Sequence, residues 1–86
     1  MEFEYDHNKS EANLAKHGIR FSDAEMLRED PYGIRLSANS EVESRHALVA
    51  SISGKVWFAV YTIWNRRIRI ISVRRAGKQE VQNYED

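Results

Sequence analysis

The sequence predicts one small α+β domain, with helices packed on one side of a largely antiparallel sheet. Helix and strand signals separate along the chain: two capped helical stretches precede Pro31 and four strand-like runs follow it. Short turns join the last three runs, which makes those neighbours antiparallel. At 86 residues, the chain can enclose a single core, so residues 1–86 are read as one domain.

Phe3-Glu4-Tyr5 alternates aromatic and acidic side chains and reads as a short first strand. Asp6 and Asn8 can each cap a following helix, and Glu11 stands three residues beyond Asn8. This helix is expected to end at Lys16 or His17, with Gly18 closing it in a left-handed conformation. Its apolar residues are Ala12, Leu14 and Ala15, which predicts a thin buried face. In the second helix, Ser22 and Glu25 form a capping box, with Phe21 and Met26 at the hydrophobic-staple positions. Ala24 and Leu27 extend its apolar face, and Asp30-Pro31 ends it. Both helices are short and need a sheet beneath them.

Residues 33–37, 46–52, 56–63 and 67–73 read as strands. Ser53-Gly54 and Trp64-Asn65-Arg66 are the expected turns of a meander, and the Ser-, Asn- and Glu-rich residues 38–45 a polar surface loop. Ile68-Arg69-Ile70-Ile71-Ser72-Val73-Arg74-Arg75-Ala76 organises the rest. Alternation sends Ile68, Ile70 and Ser72 to one face and Arg69, Ile71 and Val73 to the other. Its isoleucines and valine suit a central strand. The stretch closes on Arg74 and Arg75, two permanent cations on rigid backbone, able to hold a phosphate. Residues 77–84 form the last predicted helix, with Gly77 as N-cap, Glu80 three residues on, and Val81 and Tyr84 on one face.

Net charge is zero, but the distribution is uneven. Residues 1–30 hold eight acids against four bases, whereas residues 65–78 hold six bases and no acid. The basic segment suits nucleic acid, an acidic partner or the chain's own acidic front. No run is long and apolar enough to cross a membrane, and Glu2, Glu4 and Asp6 do not suit a leader peptide. With no cysteine either, a soluble cytoplasmic protein is expected. His7, His17 and His46 lack ligand-like spacing, the glycines are isolated, and no cofactor or metal is expected.

A scattered polar set remains: Lys16, His17, Glu43, Arg45, His46, Arg74, Arg75, Glu80 and Tyr84. Taken singly, each has an ordinary role. His17 suits a helix C-terminus, Glu43 and Arg45 a solvated loop, and Tyr84 a core. Together they suit RNA cleavage, in which the 2′-hydroxyl is the nucleophile. The protein then has to help move two protons and stabilise charge on the phosphorane. Trp57 and Trp64 are open between sheet core, partner contacts and RNA stacking platforms.

The chain resembles the BrnT toxins. The resemblance rests on Phe3-Glu4-Tyr5-Asp6, Lys9, Asn13, Lys16-His17-Gly18-Ile19, Phe21 and Ala24, then Glu43 with Arg45 and Val60-Tyr61-Thr62. It rests above all on residues 68–76, followed by Glu80 and Tyr84-Glu85. The resemblance implies a RelE-like ribonuclease fold and a toxin that cleaves RNA and arrests translation. It also implies a BrnA-like antitoxin, a DNA-binding protein through which the toxin reaches operator DNA. The site residues it implies are Lys16, His17, Glu43, Arg45, Arg74, Arg75, Glu80 and Tyr84. In these roles Arg74, Arg75 and Arg45 hold phosphate, His17 or Glu43 moves a proton, and Lys16 adds charge. The chain departs from the family pattern at Gly77 (usually threonine), Val81 (often arginine), His46 (commonly aromatic) and Ala50 (near a common glycine). Two other readings are an attenuated toxin homologue that mainly binds antitoxin, and a basic RNA-binding domain without chemistry.

Overall fold

The computed structural model describes residues 2–38 and 45–85. Strand β1 (Glu2–Glu4) leads into α1 (His7–His17) and α2 (Phe21–Ala24), and α2 continues as a 3₁₀ turn over Glu25–Glu29. Strands β2 (Ile34–Ala38), β3 (Arg45–Ile52), β4 (Lys55–Trp64) and β5 (Arg67–Arg75) follow, then α3 (Lys78–Glu85). The four meander strands are antiparallel as expected. Beyond that expectation, β1 adds itself parallel to β5, giving five strands in the order β1-β5-β4-β3-β2. Two tight hairpins set the register. Ser53 and Gly54 (φ 51° and 82°) make one, and Asn65 and Arg66 (φ 51° and 63°) the other. Of the surface loop expected over 38–45, Ala38 and Arg45 belong to strands, and 39–44 lie outside the described residues.

The first helix forms as its caps predict. The Asp6 carboxylate accepts from the N–H groups of Asn8 and Lys9, and Gly18 closes the helix at φ 82°. Its inward face differs from the expected one. Ala12 and Ala15 are exposed, and the buried residues are Ser10 and Asn13. The helix meets the sheet through hydrogen bonds more than through apolar area.

The second helix also differs. Arg20 occupies its N-cap position without a side-chain bond, so the Ser22–Glu25 capping box does not form. The N–H of Phe21 goes to Ser10 Oγ at 3.0 Å. Met26 is 53% exposed, so it does not staple to Phe21. Spacing explains the outcome: the buried Phe21, Ala24 and Leu27 recur every three residues. Three residues per turn is the 3₁₀ period, which keeps such a series on one side.

In β5 the expected alternation breaks at Ile71. Val60 pairs with Ser72 but Tyr61 with Ile70, leaving Ile71 as the extra residue of a bulge. The bulge restores Val73 to the face of Ile68 and Ile70. All three are buried, while Ile71 is 37% exposed. That face packs on Ile19, Phe21, Ala24 and Leu27 together with Leu48, Ala50, Trp57 and Ala59. The helices do not all lie on one side. Glu80 and Tyr84 of α3 bond to Arg74 and Ser51, whose register places them on the opposite face.

Candidate active site

Adjacent strand residues point to opposite faces, so β5 separates its two terminal arginines. Arg75 shares the helical face with its partner Trp57, and its guanidinium lies 5.4 Å from the indole ring. Arg74 faces the other way, 4.3 Å above Phe58. Its Nη1 donates to Glu80 Oε1 at 2.8 Å and its Nη2 to Glu80 Oε2 at 2.9 Å, a two-pronged pair. Nη1 also donates to the Arg75 carbonyl at 3.1 Å. Three of the five guanidinium N–H donors are thereby used. The Nε edge makes none of these bonds, and the side chain is 42% exposed.

Glu80 is placed by the turn that starts α3. Its Oε1 accepts the Gly77 N–H at 2.7 Å, half of a capping box in which glycine supplies no hydroxyl. The bonds from Arg74 hold the Glu80 carboxyl below its ordinary range, against a smaller opposing effect of burial. The same pair raises Arg74. Both groups therefore stay charged around neutrality. A carboxylate held low is a weak proton acceptor and a raised guanidinium a weak donor, so the pair suits orientation and charge.

Tyr84 is committed elsewhere. Its hydroxyl donates to Asp30 Oδ2 at 2.5 Å and lies 3.2 Å from Ser51 Oγ. Asp30 Oδ2 also accepts the Ser51 N–H at 2.9 Å, and Oδ1 the Tyr32 N–H at 2.9 Å. The β2–β3 ladder stops at Ile34 and Val49, so Asp30 takes a strand N–H that β2 no longer reaches. Partial burial alone would raise the Asp30 pKa. Hydrogen bonds from Tyr84, Ser51 and Tyr32 outweigh it and hold the carboxyl below its usual range. The bond to Asp30 raises the Tyr84 phenol in turn. This latch ties α3 to the sheet.

Lys16 and His17 stand in the last turn of α1. That helix starts with Asp6 in electrostatic reach of Arg69 and is fixed at Val73 by Asn13. It therefore runs along β5 in the strand's own direction, and its last turn follows the Asn13–Val73 contact, toward the end that carries Arg74 and Arg75. Lys16 is exposed and His17 half-buried. Arg45 belongs to the other end of the sheet, in one row with Thr62 and Arg69. It lies four residues along β3 from Val49, the residue aligned with Phe58 and Arg74, or roughly 13 Å. Glu43 lies outside the described residues.

The sequence-predicted residues thus fall into groups. Arg74 and Glu80 are bonded on the open face, with Tyr84 latched nearby. Lys16 and His17, in the last turn of α1, and Arg75, beside Trp57, belong to the α1–α2 side of the sheet. Arg45 is not brought to them. An apolar cavity of about 240 Å³, lined by Phe3, Tyr61, Ile63, Ile68 and Ile70, opens on the helical face and is separate from Arg74. Sequence reasoning missed three supporting residues: Asn13, Asp30 and Ser51. Asn13 carries a signal, as a polar residue on the inward stripe of a helix with little apolar surface. Asp30 read only as a helix stop.

The family model for BrnT, the ribonuclease toxin of a type II toxin–antitoxin system, matches residues 5–80. The matched span includes Lys16, His17, Arg74 and Glu80 and stops before Tyr84. No curated protein matched the chain. A family match over most of the chain, joined to an α+β fold with a basic strand end, identifies the chain as a member of the BrnT family of ribonuclease toxins, which act with an antitoxin partner.

Proposed function

We propose that this chain is an endoribonuclease with a RelE-like fold that cleaves RNA through the 2′-hydroxyl, without a metal, and so arrests translation and growth. The observation that carries the reading is the Arg74–Glu80 pair. Glu80 fixes a cation on the exposed sheet face while the Nε edge keeps donors for a phosphate. In the step, the 2′-oxygen attacks phosphorus, the bond to the 5′-oxygen breaks, and that oxygen takes a proton. Arg74 binds the non-bridging oxygens as their charge grows. Arg75 and Lys16 add positive potential at the same strand end, and Arg45 holds the RNA farther along. His17 or Glu43 moves a proton. Tyr84, engaged with Asp30, serves by holding α3 and therefore Glu80 in place.

The partner in this reading is a BrnA-like antitoxin that neutralises the toxin and carries it to operator DNA. The protein acts in the cytoplasm as one domain. The test is induced expression in a bacterium, read by growth and by intact total RNA. Arrest with RNA fragmentation, reversed by the antitoxin, is expected. Normal growth with soluble, folded protein would instead favour an antitoxin-binding homologue without activity.

A further inference from the structure

The β4–β5 hairpin presents its side chains in an unusual way. Trp64, the last residue of β4, is 75% exposed. The two turn residues after it, Asn65 and Arg66, are both left-handed. Turns of this kind prefer asparagine followed by glycine, and an arginine in the second place meets a steric penalty. A bulky cation held there against its own backbone preference points to a use for the side chain. Arg66 is exposed and makes no hydrogen bond or ion pair among the described residues.

Register connects this tip to Arg74. Trp64 is paired with Arg67, Thr62 with Arg69 and Arg45, Val60 with Ser72, and Phe58 with Arg74. All these residues share the face opposite the α1–α2 layer. This side of β4 and β5 therefore carries an exposed indole at one end and Arg74, bonded to α3, at the other, with arginines between. The only carboxylates that reach Arg67 are Glu2 and Glu4, at 3.9 and 3.6 Å, among the described residues. Residues 65–78 contain no acid. Among the described residues, the exposed apolar surface at the tip is the flat Trp64 ring, with Arg66 and Arg69 beside it and Arg67 shared with Glu2 and Glu4, which fits a polyanion whose bases have π faces. An apolar protein surface would call for a contiguous patch.

We propose that Trp64 is a stacking platform for one base of single-stranded RNA. Arg66 and Arg69 hold the flanking phosphates, several nucleotides from the linkage held at Arg74. The proposal rests on the ribonuclease reading for its choice of ligand. A single strand is required because bases within a duplex do not offer their faces.

The test uses the wild-type chain and a single-stranded octamer with 2′-O-methyl riboses, which cannot be cleaved through the 2′-hydroxyl. The chain has two tryptophans, and Trp57 is only 7% exposed, so fluorescence quenching reports on Trp64. Saturable quenching is expected. With affinity read in every variant by fluorescence anisotropy of an end-labelled octamer, which does not depend on Trp64, Trp64→Ala should raise Kd roughly 5- to 150-fold, and Trp64→Phe should retain most of the affinity. Arg66→Gly relieves the turn, so it folds at least as well. It should weaken binding and reduce the slope of log K against log salt by about 0.7. On cleavable RNA, Trp64→Ala should raise KM and leave kcat unchanged. An unchanged Kd in Trp64→Ala, or no binding of the octamer by the wild type, overturns the proposal. So does loss of antitoxin affinity with RNA affinity intact, which would make the tip a protein contact. Quenching and tight binding without cleavage of natural RNA would keep this subsite and refute the ribonuclease reading instead.

Discussion

Replacing Asn13 with alanine removes a side chain that stands in for a missing strand. Strand β1 pairs with β5 only through Arg69, so Val73 has no strand partner on that side. The Asn13 amide fills the place as a peptide group would. Its Nδ2 donates to the Val73 carbonyl at 2.9 Å and its Oδ1 accepts the Val73 N–H at 3.3 Å. Nδ2 also donates to the Ile19 carbonyl at 2.9 Å. Val73 is 0% and Ile19 5% exposed, so water does not readily replace these bonds. Each buried group left unpaired costs about 1–3 kcal/mol, and the three are not independent, so a loss of about 3–5 kcal/mol is expected. A domain of this size has about 4–13 kcal/mol in total. With an unfolding entropy near 0.18 kcal/mol/K, Tm should fall by roughly 17–28 °C. Asn13→Leu fills the space but leaves the same groups unpaired, so it should lose a similar amount. Thermal unfolding followed by circular dichroism measures both. A fall under about 5 °C for either variant would refute the claim that the amide acts as a ladder partner.

Other predictions follow from the same geometry. Arg74→Ala should relieve growth arrest and lower RNA cleavage on the order of 10²-fold or more, and Arg74→Lys should restore little because the fork is lost. Glu80→Gln, at a partly solvated pair, should cost no more than about 1 kcal/mol of stability in a denaturant titration. Its cleavage rate should nevertheless drop because Arg74 is no longer fixed. Asp30 has a folded pKa held below its unfolded value, so its bonds stabilise above about pH 4. That contribution is lost as pH falls through the lowered folded value. Tyr84→Phe should therefore lower stability at pH 7 and flatten the acid limb of a pH–stability curve. Arg66→Gly should raise Tm by roughly 5 °C, because a left-handed arginine is replaced by a residue without that penalty.

Much of the fold was legible because local chemistry decided it. Asp6 and Gly18 mark the ends of α1, Ser53-Gly54 marks a hairpin, and Asp30-Pro31 stops a helix. What escaped depended on partners distant in sequence. The bulge at Ile71 is invisible in a run of alternating residues, since it answers to the register of β4. Asn13 and Ser10 are ordinary polar residues until β5 and Phe21 are set beside them. Glu80 and Arg74 could be named from the resemblance, but their mutual bond depends on how α3 turns back onto the strand. Arg75 could be named too, although a neighbour of Arg74 in sequence faces the opposite layer of the sheet.

The most direct test of the central claim is incubation of the purified chain with single-stranded RNA, wild type beside Arg74→Ala, with a chelator present and the new ends identified. Cleavage by the wild type that survives chelation and leaves 2′,3′-cyclic phosphate and 5′-hydroxyl ends is expected, with a large loss in a folded Arg74→Ala. No cleavage by the wild type, 5′-phosphate ends, or an Arg74→Ala protein as active as the wild type would contradict it.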